Sequence, residues 1–355
     1  EILKAGGLVA FPTETVYGLG ADALQKEAVC KIFAAKGRPS DNPLIVHIAD
    51  IASLDNLVAE KPPIWEPLAH KFWPGPLTMI FKKSSIIPDE ITAGLDTVAI
   101  RMPVHPIAMA LIKASGLPIA APSANSSGYP SPTLASHVYE DLNGKIDLII
   151  DGGKADVGLE STVLDITVDP PLILRPGGVT LEQLRTVNPD ISLDPALSNE
   201  PDFTVLSQAN LNVNDVLKNK RRDFQAKFIP KSPGLKYKHY APKAQLIIVD
   251  GELDKIVNTI NNLVDGLENS KKRIGILATD QTKDYYKEGN KNIIVMSLGN
   301  RDHPEEIASN LFRRFREMDE HEVDVIFTEG INKNGIGLAI MNRMKKAAGF
   351  NIIKV

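Results

Sequence analysis

Short apolar runs alternate with helical phrases along two stretches of this chain, and a polar stretch at 195–230 parts them. That alternation limits the fold more than any other feature, because interleaved strands and helices pack as layered α/β domains. In the first stretch, 7–12, 43–48, 77–82, 98–102, 118–121, 148–151, 162–166 and 172–175 read as strands. Ala28, Val29, Ile32 and Phe33 give 26–36 one apolar face, which predicts a helix. Further helices are expected near 51–60 and over 107–115 and 181–187. In the second stretch, strands are expected at 246–249, 274–278, 293–297, 323–328 and 351–355, with helices at 253–267, 304–317 and 337–348. This is the pattern of a small doubly wound, Rossmann-like sheet. The stretch between them has few periodic apolar positions and a basic cluster at Lys218, Lys220, Arg221 and Arg222, so it reads as an insertion in a linker. The expected division is 1–192, 193–242 and 243–355, and 355 residues suit two domains.

Composition removes several classes of function. With 43% hydrophobic and 24% charged residues, the chain has the profile of a soluble globular protein. A net charge of −4 argues against a protein that tracks along nucleic acid. The single cysteine, Cys30, excludes an internal disulfide framework and a Cys-rich zinc site, and it suits a reducing, cytoplasmic setting. No apolar run reaches the roughly 18 residues of a membrane span, so no membrane partner is expected. The chain opens on Glu1 within a helical phrase, so a preceding segment is expected.

The chain has no Walker A loop and no G-x-S-x-G elbow. Gly18-Leu19-Gly20 and Gly335-Ile336-Gly337 lack the third glycine of a dinucleotide fingerprint, although a phosphate would suit the helix start after the second pair. The seven histidines have no paired spacing, so no metal site built from protein side chains is expected. Arg313, Arg314, Arg316, Arg343, Lys345 and Lys346 read as solvated helix faces.

Five polar phrases remain, each at a predicted strand end, where α/β proteins place ligands. Pro12 to Gly20 holds Thr13, Glu14, Thr15 and Tyr17. Lys36-Gly37-Arg38-Pro39-Ser40-Asp41-Asn42-Pro43 sets a mobile point charge and a planar fork around a glycine, which suits polyphosphate or carboxylate. Ser123-Ala124-Asn125-Ser126-Ser127-Gly128, then Ser131, offers hydroxyls and backbone N–H groups for phosphate oxygens. Glu160-Ser161-Thr162 and Arg175-Pro176-Gly177 complete the set. Taken singly, each phrase also fits a helix cap, a turn or a strand start. Together they indicate an anion site and leave the reaction open.

As an ordered string, P-T-E-T-V-Y-G-L-G, K-G-R-P-x-x-N-P-L, S-A-N-x-S-G, E-S-T-V and R-P-G resembles the YrdC-like domain, over Pro12 to Gly177. The phrase from Ser232 to Pro242, with the Rossmann-like tail, resembles the linker and second domain of the two-domain threonylcarbamoyl-AMP synthases. The resemblance implies a YrdC-like twisted α/β domain followed by a small Rossmann-like domain. It also implies formation of threonylcarbamoyl-AMP and pyrophosphate from L-threonine, bicarbonate and ATP, with Mg2+ accompanying ATP, for threonylcarbamoyladenosine in tRNA. A transient contact with tRNA or with the next enzyme is then expected. Lys36, Arg38, Ser123 and Asn125 would form the catalytic set. Arg38, Asn42, Thr97, Ser123, Ser131, Arg175 and the linker tyrosine Tyr237 would surround ATP. Thr15, His47, Arg101, Ala121 and Ser161 would surround threonine. A carbamoyl-transfer enzyme and a non-catalytic RNA-binding module are the alternatives, and the single cysteine and unpaired histidines disfavour the first.

Overall fold

The computed structural model of the chain describes residues 1–198, 240–267, 270–287 and 291–355. Most of the polar stretch, the Lys218–Arg222 cluster and Tyr237 lie outside the described residues. The described chain forms two compact units, one of 1–127 and 131–198 and one of 128–130 and the residues from 240 onward.

The first unit is built on β1 (Val9–Phe11), β2 (Gly18–Asp22), β3 (Ile45–His47), β4 (Leu77–Lys82), β5 (Thr97–Arg101), β6 (Ile119–Ala120), β7 (Leu148–Ile149), β8 (Thr162–Asp165), β9 (Leu172–Arg175) and β10 (Ser192–Leu193). They form one mixed sheet in the order β10-β9-β8-β4-β5-β3-β6-β2-β1-β7. The central strands β3 and β5 are buried throughout, which is why each carries consecutive apolar residues, Ile45–Val46 and Val98–Ile100, before a polar end at His47 and Arg101. Helix Lys26–Lys36 lays Ala28, Val29, Ile32 and Phe33 into the core and ends where Gly37 adopts φ 60°. Helix Pro106–Ser115 opens on proline, with His105 Nδ1 accepting the Ile107 N–H, and closes at Gly116.

Some elements differ from the sequence expectation, each for a local reason. Gly18-Leu19-Gly20 is not a glycine loop but the start of β2. A Cβ at Gly20 would lie 2.8 Å from the Phe11 ring and 3.0 Å from Ile119, so glycine there admits the neighbouring side chains. Helix Trp65–Phe72 has only Leu68 and Ala69 buried and contains Pro67, so its apolar stripe is too short to stand out. The helix expected near 51–60 shrinks to a 3-10 turn at Ile51–Ser53 and one helical turn at Leu54–Leu57, because Val58 leaves to bridge Lys83.

In the second unit, β11 (Gln245–Asp250), β12 (Ile274–Ala278), β13 (Ile293–Ser297), β14 (Val325–Glu329) and β15 (Ile352–Lys354) form a parallel sheet in the order β13-β12-β14-β11-β15. Helices Leu253–Asp265, Pro304–Glu320 and Gly337–Ala348 join the strands. A Cβ at Gly337 would meet the Asn332 carbonyl oxygen at 1.8 Å. The N–H groups of Gly337, Leu338 and Ala339 donate to the carbonyls of Asn334, Gly335 and Ile336. That glycine pair therefore closes a tight turn with its own backbone donors. Two of the arginines expected on solvated helix faces are buried instead. Arg316 is 5% exposed and Arg343 0%. Arg343 lies 5.3 Å from the centre of the Tyr240 ring, which stacks on Phe312. Arg313 and Arg314 do pair at the surface, both with Glu317.

Phe327 of β14 is fully buried in the second unit's core. Phe327→Ala should cost about 3–5 kcal/mol, read as a lower urea midpoint by circular dichroism.

Candidate active site

Every candidate site residue that is described falls within the first unit, and Tyr237 lies outside the described residues. Most of them gather into three hydrogen-bonded groups. The first joins the Lys36 and Ser123 turns. Gly37 caps the helix by donating to Ala34 O while Arg38 N donates to Phe33 O, and the chain turns sharply there. Lys36 is only 4% exposed, and its Nζ donates to the carbonyl oxygens of Ser123 and Asn125 and to Asn125 Oδ1 (3.4 Å). In return, Ser127 N donates to Lys36 O. Ser123 Oγ donates to Asn125 Oδ1. Ala124 N donates to Tyr17 O, tying this turn to β2.

Arg38 extends this group, with Nη2 donating to Asn42 O at 3.1 Å. Asn42 is fully buried, yet neither its Oδ1 nor its Nδ2 has a hydrogen-bond partner among the described residues. An orphaned buried amide is costly, at about 1–3 kcal/mol per group. It marks a place where a polar ligand fits.

The second group centres on Arg101, the last residue of β5. Its Nη1 donates to Thr15 Oγ1 (2.8 Å), its Nη2 pairs with Glu14 Oε1 (2.5 Å), and its Nε donates to Gly75 O (3.3 Å). Glu14 Oε2 also accepts the Val104 N–H. Thr15 is held in turn by Thr13, whose hydroxyl contacts Thr15 Oγ1 at 2.8 Å and donates to Val16 O. His47 lies beside Arg101 because β3 and β5 pair in parallel register at those two residues. Burial, and then the Arg101 cation, push the His47 imidazole down to about 3, so it is neutral near pH 7. Its ring meets Phe11 edge-on, and its Nδ1 has no hydrogen-bond partner among the described residues. Ala121 follows β6 and donates its N–H to Ile45 O.

Ser161 and Arg175 come together through the β8–β9 pairing. Arg175 Nε and Nη2 both donate to Ser161 O, and Nη2 reaches Ser161 Oγ at 3.2 Å. Thr78 of β4 also contacts Ser161 Oγ, at 2.8 Å. Gly177 permits this closeness, since a Cβ there would lie 2.4 Å from the Glu160 carbonyl oxygen and from Thr162 N. Ser131 donates to Glu160. Thr97 stands apart. It opens β5 opposite Lys82, at the other end of that strand from Arg101, and among the described residues no hydrogen bond ties it to the other candidates.

Glu14, Thr13, Thr78 and Glu160 support these groups but were outside the expected site set. Glu14 and Thr13 stood inside a phrase already marked as polar. Thr78 carried a fainter signal, one hydroxyl inside the apolar run L-T-M-I-F.

Two consequences can be measured. Gly177→Ala should cost about 1–3 kcal/mol by overpacking backbone, read from chemical unfolding, because the contacts it would make are with main-chain atoms. For His47, the unfolded chain binds a proton below about pH 6.5, whereas the folded chain resists it down to about 3. Stability contributed by the neutral imidazole is therefore full above about pH 6.5 and falls as the pH drops, by up to about 1.4 kcal/mol per pH unit. His47→Asn should flatten that slope between about pH 6 and 4; equal slopes in both proteins would show that His47 takes up its proton without unfolding.

Comparison with known proteins accords with this architecture. Residues 1–177 match the family described as "Telomere recombination", and residues 179–349 match "Threonylcarbamoyl-AMP synthase, C-terminal domain". The threonylcarbamoyl-AMP synthase of Pyrococcus abyssi is 48% identical over 99% of this chain and 94% of its own length. That of Bacillus subtilis is 46% identical over 99% and 92%, and that of Schizosaccharomyces pombe 40% over 96% and 84%. The crystal structure of P. abyssi Sua5 complexed with L-threonine superposes with a TM-score of 0.87 at 47% identity, covering 100% of this chain and 94% of that one. Two matched domains and near full-length identity of this order place the chain in the two-domain threonylcarbamoyl-AMP synthase family, among ATP-using enzymes of the nucleotidyltransferase type.

Proposed function

We propose that the first unit converts L-threonine, bicarbonate and ATP into L-threonylcarbamoyladenylate and pyrophosphate. The observation that carries this reading is the buried ammonium of Lys36, held against the Ser123–Asn125 turn. The relative whose crystal structure superposes on this chain is complexed with L-threonine, and the Arg101, Thr15 and His47 group has the chemistry to receive that amino acid. Arg101 offers a fixed fork for its carboxylate, Ser161 a hydroxyl, and the Ala121 segment a close backbone. The neutral His47 adds a polar edge without a second positive charge.

On this reading the threonine amine and bicarbonate condense to a carbamate with loss of water. A carbamate oxygen then attacks the α-phosphorus of ATP, a P–O bond forms, and the bond to pyrophosphate breaks. Lys36 is assigned to the point where carbamate and α-phosphate meet, with Ser123 and Asn125 beside it. Arg38, Asn42, Thr97, Ser131 and Arg175 are assigned to ATP, with Tyr237 joining them from the linker. The orphaned amide of Asn42 supports an assignment to a polar ligand. Charge accumulates on both reactants and in the transition state, so positioning and fixed cations supply the catalysis and no covalent nucleophile is needed. Mg2+ enters with ATP and offsets polyphosphate charge.

The product would serve threonylcarbamoyladenosine formation in tRNA, through a transient contact with tRNA or with the enzyme that transfers the group. That setting is cytoplasmic. Among the described residues no helix is long and apolar enough to cross a membrane.

Purified chain with ATP, Mg2+, bicarbonate and L-threonine should release pyrophosphate only when threonine is present; threonine-independent release, or none, rejects the assignment. Lys36→Ala should lower turnover by about two to three orders of magnitude, as loss of one preorganised electrostatic group does. A near-normal rate in a folded Lys36→Ala protein would remove Lys36 from the chemistry.

A further inference from the structure

The second unit holds a polar cluster that the adenylating reaction does not use. Its sheet order makes the carboxyl ends of β12 and β14 a switch point. After β12 the chain moves outward to β13, and after β14 it moves the opposite way to β15. In open parallel sheets such diverging connections leave a crevice that ligands occupy.

Glu329, the last residue of β14, is 0% exposed at that position. Its Oε1 accepts from Tyr286 Oη (2.7 Å) and Thr282 Oγ1, and its Oε2 accepts from Thr279 Oγ1 (2.9 Å) and pairs with Arg301 Nη2 (2.8 Å). Thr279 directly follows β12. Arg301, from the loop after β13, completes the arrangement. Its Nε donates to Thr279 Oγ1 (3.1 Å) and its Nη2 donates also to Gly330 O (2.9 Å). Three bonds thus fix the guanidinium across the ends of both strands. Its Nη1 makes no hydrogen bond among the described residues, and the side chain is 22% exposed.

Stability alone is a weak account of such a cluster, because buried ion pairs are often no better than apolar residues of equal volume. The carboxylate has its full complement of donors, so its effect is to hold Arg301 still while one terminal nitrogen makes no hydrogen bond among the described residues. The first unit contains the same trio in another fold, with Arg101 held between the Glu14 carboxylate and the Thr15 hydroxyl. A fork fixed in this way has already lost its side-chain freedom, which lowers the cost of binding.

We propose that the crevice at the ends of β12 and β14 is a second ligand site, separate from the adenylating site, that binds a small oxyanion group, phosphate or carboxylate, through Arg301.

The test is a titration of the full isotope-labelled chain with inorganic phosphate and, separately, with acetate, at ionic strength held constant with chloride. Backbone amides of Thr279 and Gly330 and the Arg301 side-chain N–H resonances are followed by NMR. At least one anion should shift them saturably with a midpoint at or below about 10 mM, the range of a few kcal/mol expected for one charged group. Saturation by phosphate alone identifies a phosphoryl ligand, and saturation by acetate as well identifies a carboxylate. Arg301→Gln should abolish the shifts. Glu329→Gln, which keeps the arginine but loosens its hold, should weaken binding by roughly tenfold, equivalent to about 1.4 kcal/mol. The proposal fails if neither anion gives a saturable shift in the unsubstituted chain, or if the shifts lie only at residues remote from Thr279, Arg301 and Gly330. It fails equally if they persist in folded Arg301→Gln protein. The unsubstituted chain decides the matter even where a variant does not fold.

Discussion

One ammonium group holds the first unit's candidate site together. Lys36 ends a helix, and its Nζ reaches carbonyl oxygens on a turn 87 residues further along the chain. A charged hydrogen bond of this kind contributes about 1.5–3 kcal/mol. Its geometric effect reaches further. It fixes where the helix stops, hence where Gly37 turns, and hence where Arg38 can reach the Asn42 carbonyl. The return bond from Ser127 N to Lys36 O closes the loop from the other side. Neither turn has a set position without the other.

Around Arg101 the electrostatics run differently. The guanidinium is neutralised by Glu14, and the neighbouring imidazole is held uncharged by burial and by that same cation. These two groups therefore differ in kind. One presents an ammonium against carbonyl dipoles. The other presents an oriented donor fork, already charge-balanced, beside a neutral ring. A reaction between an amino acid and a polyphosphate uses both properties, because the amino acid must be oriented while the developing phosphorane charge must be stabilised.

The alternation of strands and helices was legible because central strands buried on both faces leave consecutive apolar residues, as Val98, Ala99 and Ile100 do. The polar phrases at their ends were legible as a set for the same reason. What escaped were features that depend on distant neighbours. β2 hid behind glycines whose purpose is to admit Phe11 and Ile119. The burial of Arg343 depends on Tyr240, about a hundred residues earlier. The cluster on Glu329 draws on positions 279, 282, 286 and 301, which meet that carboxylate only because β12 and β14 pair. The charge state of His47 follows first from its burial and then from register pairing with Arg101, neither of which a local pattern records. Tyr237 falls outside the described residues, and so does the basic cluster near it in sequence.

The close passage of Gly177 over Glu160 and Thr162 has a dynamic consequence. With backbone atoms packed this tightly and Arg175 bonded to Ser161, the start of β8 and the end of β9 cannot part separately. Thermal opening there must release both strands in a single event, so their amide protons should exchange with solvent at a common rate. Ser161 and Arg175 would then share one local breathing motion, and a ligand that quiets either strand would quiet the other.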